Sequence, residues 1–243
     1  MARKRIDQLL VERGVFDSRA KARAAVEAGR VSVAGKIVAK PAEAVDEDAE
    51  IIAEAAHPWV GRGALKLVHA LDLWPIAVEG RVAIDVGAST GGFTEVMLSR
   101  GAATVFAVDV GRDQLHARLR ADPRVVDLSG VDARALANAV IPQTPQLVVS
   151  DVSFISLVKA LPAALGLAER GADLVALIKP QFEAGREHVG KGGLVKDLEV
   201  IARVEREIVG FLEASGWPVR GLVESPITGG EGQVERLVWA TKA

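Results

Sequence analysis

Residues 82–93 constrain this chain more than any other stretch. Val82-Ala-Ile-Asp-Val86 is an apolar run of strand length. It ends in Gly87-Ala-Ser-Thr-Gly91-Gly92-Phe93, and a helix is predicted to follow around Thr94–Ser99. A buried strand that turns through glycines into a helix lets backbone approach a ligand and aims free N–H groups at it. Around this unit, strands are predicted at 104–108, 147–150 and 174–178, with helices at 63–73, near 158–169 and over roughly 197–214. Val219–Val223 and Val234–Ala240 read as a terminal strand pair. Strands alternating with helices imply an α/β, doubly wound, mostly parallel sheet.

The first 57 residues read differently, as a small α+β unit. Ile6, Leu9, Leu10 and Val11 form a short apolar helical face that Gly14 ends, and Ser18 is placed to cap a helix reaching Ala28. Val31-Ser-Val33 and Ile37-Val38 flank Ala34-Gly35 as a hairpin, and Ile51-Ile52 is a last short strand. Residues 58–62, beginning at His57-Pro58, are expected to be a linker, and 63–243 the larger domain. Residues 1–40 hold ten Lys or Arg against four Asp or Glu, and the rest of the chain 20 against 28. A basic first unit on an acidic second one suggests an anionic partner for the first; an ordinary solvated surface is the competing reading. The chain has no cysteine, which excludes disulfides and thiolate chemistry. No apolar run is long enough to span a membrane, and the polar Asp7-Gln8 after the basic start argues against a signal peptide. A cytoplasmic protein without a membrane partner is expected.

Asp109 ends the next strand, 22 residues after Gly87, where a carboxylate can accept from ribose hydroxyls. A dinucleotide would favour G-x-G-x-x-G, but position 89 is Ser. Asp85 is awkward beside a pyrophosphate and suited to a cationic amino group. S-adenosyl-L-methionine therefore fits better, with Asp85, Gly87, Ala88, Ser89, Gly91, Gly92, Phe93 and Asp109 as the candidate cofactor site. Asp132, after another strand, is a candidate for the adenine amino group. A purely structural tight turn is the alternative. Gly185–Gly192 nearly matches a phosphate loop but lacks the terminal Ser or Thr, and reads as a basic loop.

Asp151 follows the strand at 147–150, and Lys179 follows the strand at 174–178. Both belong at the carboxyl edge of a parallel sheet, where such sheets bind ligands. Lys66, on the helix before the first strand, and Glu235, on the last strand, could join them. Moving a methyl group onto a ribose hydroxyl requires removal of its proton, and a Lys does this only if burial or a second amine lowers its pKa. The plain alternative is two ion pairs at a sheet edge. His57, His69, His116 and His188 lack metal-ligand spacing, so no metal is expected.

Taken in order, these segments are similar to the TlyA family of haemolysin-A-like ribosomal RNA 2′-O-methyltransferases. Arg5-Ile-Asp-Gln-Leu-Leu, Ser18-Arg19 and Val31-Ser-Val-Ala-Gly-Lys resemble the small RNA-binding domain first described in ribosomal protein S-four. Gly61-Arg-Gly-Ala-Leu-Lys-Leu, Asp85-Val-Gly-Ala-Ser-Thr-Gly-Gly-Phe-Thr, Ser150-Asp-Val-Ser-Phe-Ile-Ser and Ile178-Lys-Pro-Gln-Phe-Glu resemble the catalytic domain. The resemblance implies a Rossmann-like, FtsJ-like methyltransferase fold with a Lys-Asp-Lys-Glu tetrad at Lys66, Asp151, Lys179 and Glu235. Lys179 would be the base, Lys66 its neighbour and substrate orienter, and the acids their supports. It also implies cytidine ribose in ribosomal RNA as substrate, with the large subunit favoured because the chain ends just after the last strand. Phosphate contacts would fall to Arg3, Lys4, Arg5, Arg19, Lys21 and Arg23. With 4% aromatic residues, base stacking is not the expected recognition mode. Two departures stand out: Ala34 replaces the Asn common in the hairpin, and Gly229-Gly-Glu-Gly-Gln replaces a Gly-Asn element, which makes Glu231 a reserve for Glu235. A monomer or homodimer is expected. A membrane-lysing toxin and a non-catalytic ribosome-assembly module are the competing functions.

Overall fold

The computed structural model describes residues 3–229 and 232–243, so Glu231 lies outside the described residues. The chain divides into two compact units, Met1–Pro58 and Trp59–Ala243. In the first, β1 (Arg3–Arg5) leads into α1 (Ile6–Glu12), followed by α2 (Arg19–Glu27), β2 (Val31–Val33), β3 (Lys36–Ile37), β4 (Ala44–Asp46) and β5 (Ile51–Ala53). Ile6, Leu9 and Leu10 of α1 pack on Ala22, Ala25 and Val26 of α2 and on Val31, Val38 and Val45 below them. The Ser18 side chain accepts from the Lys21 N–H and caps α2. The strands form an antiparallel sheet β3-β2-β5 and a pair β1-β4. Ala34 and Gly35 turn the hairpin with φ of +48° and +75°, the doubly left-handed geometry of a type I′ turn. Ala takes the position at roughly 1–2 kcal/mol of strain.

The second unit begins with α3 (Ala64–Leu73), β6 (Val82–Val86), α4 (Gly92–Ser99), β7 (Thr104–Asp109), α5 (Ala117–Arg120), β8 (Val125–Ser129) and β9 (Leu147–Ser150). It continues with α6 (Leu157–Ala160), α7 (Pro162–Leu167), β10 (Asp173–Ile178), α8 (Pro180–Glu183), α9 (Leu198–Ala214), β11 (Val219–Glu224) and β12 (Arg236–Thr241). Seven strands form one sheet in the order β11-β12-β10-β9-β6-β7-β8. β6 to β10 are parallel to one another, and β12 lies antiparallel between β10 and β11. Strand residues alternate between two cores. Ile84, Val86, Leu174, Ala176 and Ile178 face α6, α7 and α9, while Ala83, Val175 and Leu177 face α3 and α4. On α9, Val200, Val204, Ile208 and Leu212 recur every four residues and are buried, worth roughly 1.5–3 kcal/mol each before entropy.

Three elements depart from the sequence reading. The helix expected near 158–169 is broken in two, because Pro162 has no N–H to continue α6 and instead starts α7. Residues 59–62, expected as linker, pack into the second unit: Val60 is buried, and its N–H donates to Glu95 Oε2 at 2.6 Å. β12 starts at Arg236, so Glu235 sits just ahead of the strand. Among the described residues, no helix is long and apolar enough to cross a membrane.

Candidate active site

The sheet order reverses between β6 and β9, since the chain adds β7 and β8 on one side and then β9 and β10 on the other. That reversal opens a crevice at the carboxyl edge, the ordinary ligand position of such sheets. The glycine turn, Asp109, Asp151 and Lys179 follow β6, β7, β9 and β10 onto this edge. Glu235 reaches the same edge because β12 is antiparallel: Arg236 pairs with Ile178, leaving Glu235 beside Lys179. Lys66 comes from the buried side of α3.

The four side chains meet. Lys66 Nζ lies 2.6 Å from Glu235 Oε2 and 3.3 Å from Asp151 Oδ2. Lys179 Nζ lies 2.8 Å from Asp151 Oδ1 and donates to Ser153 Oγ at 2.9 Å. Asp151 thus joins both amines. Lys66, Lys179 and Glu235 are nearly buried, a setting where removing one partner leaves an uncompensated charge, at about 3–5 kcal/mol. Gly63 has no side chain where Asp151 approaches: a Cβ there would lie 3.3 Å from Asp151 Oδ2.

Two cavities of about 520 Å³ share Asp151, Ser153 and Phe154. One lies beside the glycine turn and is lined by Gly87, Ser89, Asp109, Asp132 and the apolar Val110, Val131, Val152 and Ile155. The other holds all four members of the charged cluster. A smaller space of about 230 Å³, lined by Gly87, Ala88, Ser89, Gly92, Phe93, Asp151 and Lys179, lies between the turn and the cluster. Of the expected cofactor residues, Asp85 and Gly91 line none of the three. Gly91 instead starts α4 with φ +95°, closely covered by Leu115 and Leu119. Asp85 is fully buried beneath the turn, where Oδ2 accepts from Thr94 Oγ1 at 2.7 Å and Oδ1 has no hydrogen-bond partner among the described residues. Burial pushes its carboxyl up to about 7. Asp109 accepts from the N–H of Ser89 and of Gly111, at 2.8 and 2.7 Å. The Arg134 guanidinium holds the Asp132 carboxyl down at about 2.

The sequence reading missed an aromatic pair. Phe154 is 92% exposed with φ +66°, and its ring lies 5.1 Å from that of Phe182. Lys179 Nζ stands 6.0 Å from the Phe182 centroid. Its signal was the Ser150–Ser156 block, but a Phe destined for solvent looks the same in sequence as one destined for a core.

The six expected phosphate contacts carry acidic partners within their own unit. Lys4 pairs with Glu12 and Glu47, Lys21 with Asp17, Arg23 with Glu27 and Arg3 with Asp46. Arg5 and Arg19 both bind Asp7, at 3.0 and 2.9 Å. The Asp7 side chain is inaccessible to solvent, and Arg5, then Arg19, holds its carboxyl down at about 2.

Residues 59–242 match the FtsJ-like methyltransferase family and residues 4–51 the S4 domain. The chain is 47% identical over 242 residues to the 16S/23S rRNA (cytidine-2′-O)-methyltransferase TlyA of Mycobacterium tuberculosis, covering 98% of this chain and 90% of that protein. A solved structure described as a hemolysin of Streptococcus thermophilus aligns with a TM-score of 0.78 at 40% identity, over 100% of this chain and 90% of that one. A magnesium protoporphyrin IX methyltransferase (ChlM) from Synechocystis, solved with bound SAH, shares the fold at TM-score 0.53 and 16% identity, over 74% of this chain and 84% of that one.

Proposed function

This chain belongs to the TlyA family of FtsJ-like methyltransferases with an S4 domain, and from that premise we propose that it methylates the 2′-oxygen of a cytidine ribose in ribosomal RNA. The observation that carries the reading is the convergence of Lys66, Asp151, Lys179 and Glu235 in a cavity that meets the glycine-turn cavity at Asp151, Ser153 and Phe154. S-adenosyl-L-methionine fits the glycine-turn cavity by its donor set: carboxylates at Asp109 and Asp132 and apolar walls at Val110, Val131 and Val152. Asp109 would take the ribose hydroxyls and Asp132 the adenine amino group, while Asp85, beneath the turn, would act through its charge or a bridging water. When bound, this cofactor supplies an electrophilic methyl group on a sulfonium sulfur.

In this reading Lys179 Nζ would take the proton of the 2′-hydroxyl, leaving an oxygen able to accept the methyl group that a bound S-adenosyl-L-methionine would supply. Asp151 and Ser153 aim the Lys179 amine, and Glu235 and Asp151 hold Lys66, which orients the substrate. Phe154 offers a face on which an extruded base can stack. In the S4 domain, Arg3, Lys4, Lys21 and Arg23 sit in exposed, solvent-screened ion pairs, which a phosphate can displace. Arg5 and Arg19 are committed to buried Asp7 and have less to give.

The test is incubation with methyl-labelled S-adenosylmethionine and unmodified ribosomal subunits, large and small, followed by mapping of the labelled ribose. Label on a cytidine 2′-oxygen, with the large subunit as the first candidate, is expected. Absence of transfer to either subunit would remove the reading.

A further inference from the structure

The segment Asp151–Ser156 joins β9 to α6 and lines both large cavities. It carries Phe154 at φ +66°, a conformation costing a bulky residue about 1–3 kcal/mol and kept only where the surroundings hold it. Two side chains hold it, one from the residue that precedes α8 and one from the last residue of α8. Lys179, just ahead of α8, donates to Ser153 Oγ at 2.9 Å on one side of Phe154. Glu183, at the end of α8, accepts the Leu157 N–H at 2.8 Å on the other. Glu183 lies outside the charged cluster and lines none of the three cavities.

We infer that Glu183 is a positioning residue for the methyl transfer proposed above: it fastens the end of the Asp151–Ser156 loop to the helix that directly follows Lys179, and so fixes Lys179 against Asp151. The inference rests on that proposed activity. Its physical content is that a 2.8 Å pair between Lys179 and Asp151 depends on the relative placement of the two segments that follow β9 and β10. Burial pushes the Glu183 carboxyl above its ordinary value, against the hydrogen bonds from Ser156 and Leu157. An acid kept where its charge is disfavoured is consistent with a task at that position.

The test uses the full-length protein with Glu183→Ala and Glu183→Gln. Gln keeps an acceptor for the Leu157 N–H and Ala does not. Glu183→Ala should lower kcat about 10–100-fold, with the KM for RNA within about twofold, and Glu183→Gln should restore kcat to within about threefold. Full kcat in the Ala variant, or equal damage in both, overturns the inference. A second measurement does not need turnover. Amine labelling followed by mass spectrometry should show Lys179 reacting faster in Glu183→Ala than in wild type, with Lys66 unchanged and Glu183→Gln like wild type. Unaltered Lys179 labelling in the Ala variant overturns the inference even if the RNA activity itself is not found. Absence of methyl transfer by the wild type, with altered labelling, overturns only the activity. If Glu183→Ala does not fold, Glu183→Asp, too short to reach Leu157, takes its place with the same expectations.

Discussion

Asp85→Asn should invert its effect on stability between acid and alkaline pH. Asp85 is fully buried, with one oxygen held by Thr94 and the other without a hydrogen-bond partner among the described residues. Its carboxyl sits at about 7 rather than 3.8, chiefly through burial, with Asp151 and Asp109 adding to the rise. Between those values the folded protein keeps a proton that the unfolded chain has lost. Stability therefore falls as pH rises from about 4 to 7 and stays lower above that. At ~1.36 kcal/mol per pH unit the whole loss is about 4 kcal/mol. Asn carries no charge, but its amide leaves a buried group unpaired, at about 1–3 kcal/mol at every pH. The variant should then be the more stable protein near pH 8, and that advantage should shrink between pH 8 and pH 5 and reverse near pH 4. The difference between them should swing by roughly 2–3 kcal/mol between pH 8 and pH 5, or about 5–10 °C in melting temperature for a unit of this size. Trp59, Trp74, Trp217 and Trp239 all lie in the second unit, so tryptophan fluorescence during thermal unfolding reads that unit alone. A difference that stays constant with pH, or one that moves against the variant as pH rises, would refute the reasoning.

Lys179→Ala should reduce methyl transfer by about 10²–10⁴-fold, the usual worth of a positioned base, while cofactor affinity by calorimetry stays within about threefold; comparable activity in the variant would remove Lys179 from that role. Phe154→Gly should relieve the left-handed strain and raise the melting temperature slightly, while weakening RNA binding by about 1–3 kcal/mol if a base stacks there; unchanged RNA affinity would exclude stacking. For the S4 domain, Asp7 is held low at about 2 by Arg5 and Arg19, so its contribution is present above about pH 4 and lost as pH falls toward 2; in Asp7→Asn this acid-limb loss should be absent from circular-dichroism titrations of the first unit's helices.

The sequence exposed what depends on backbone type and missed what depends on approach. β6, the glycine turn, β9 and β10 were legible because apolar runs of strand length are bounded by residues that only a turn or a sheet edge explains. Asp151 and Lys179 followed directly, since the residue after a buried parallel strand has few other places to go. Glu235 was less accessible, because its position comes from an antiparallel strand that enters between β10 and β11 rather than adding at an edge. Periodicity carries no information about that insertion. The basic N-terminal stretch pointed to an anionic partner, in keeping with the S4 domain, but a charge count leaves out what those side chains touch. Counting charges treats Arg3, Lys4 and Arg5 as free, whereas β1 pairs with β4 and brings Arg3 beside Asp46 and Lys4 beside Glu47, and Arg5 pairs with Asp7.

The same distinction explains why Phe154 and Glu183 stayed hidden. A catalytic amine announces itself by being polar where the pattern demands an apolar residue. A strained aromatic and a carboxylate that caps a neighbouring turn obey every local rule, and they differ from surface residues only in what lies across from them. The charged cluster, moreover, is not self-supporting. Asp151 reaches Lys66 and Lys179 from a loop, not from β9 itself. A loop places a carboxylate to a few tenths of an ångström only when something outside the cluster fixes it. The side chains that convert a set of ion pairs into a site able to move a proton are therefore expected on α8 and at the start of α6, beyond the four residues that carry the charge.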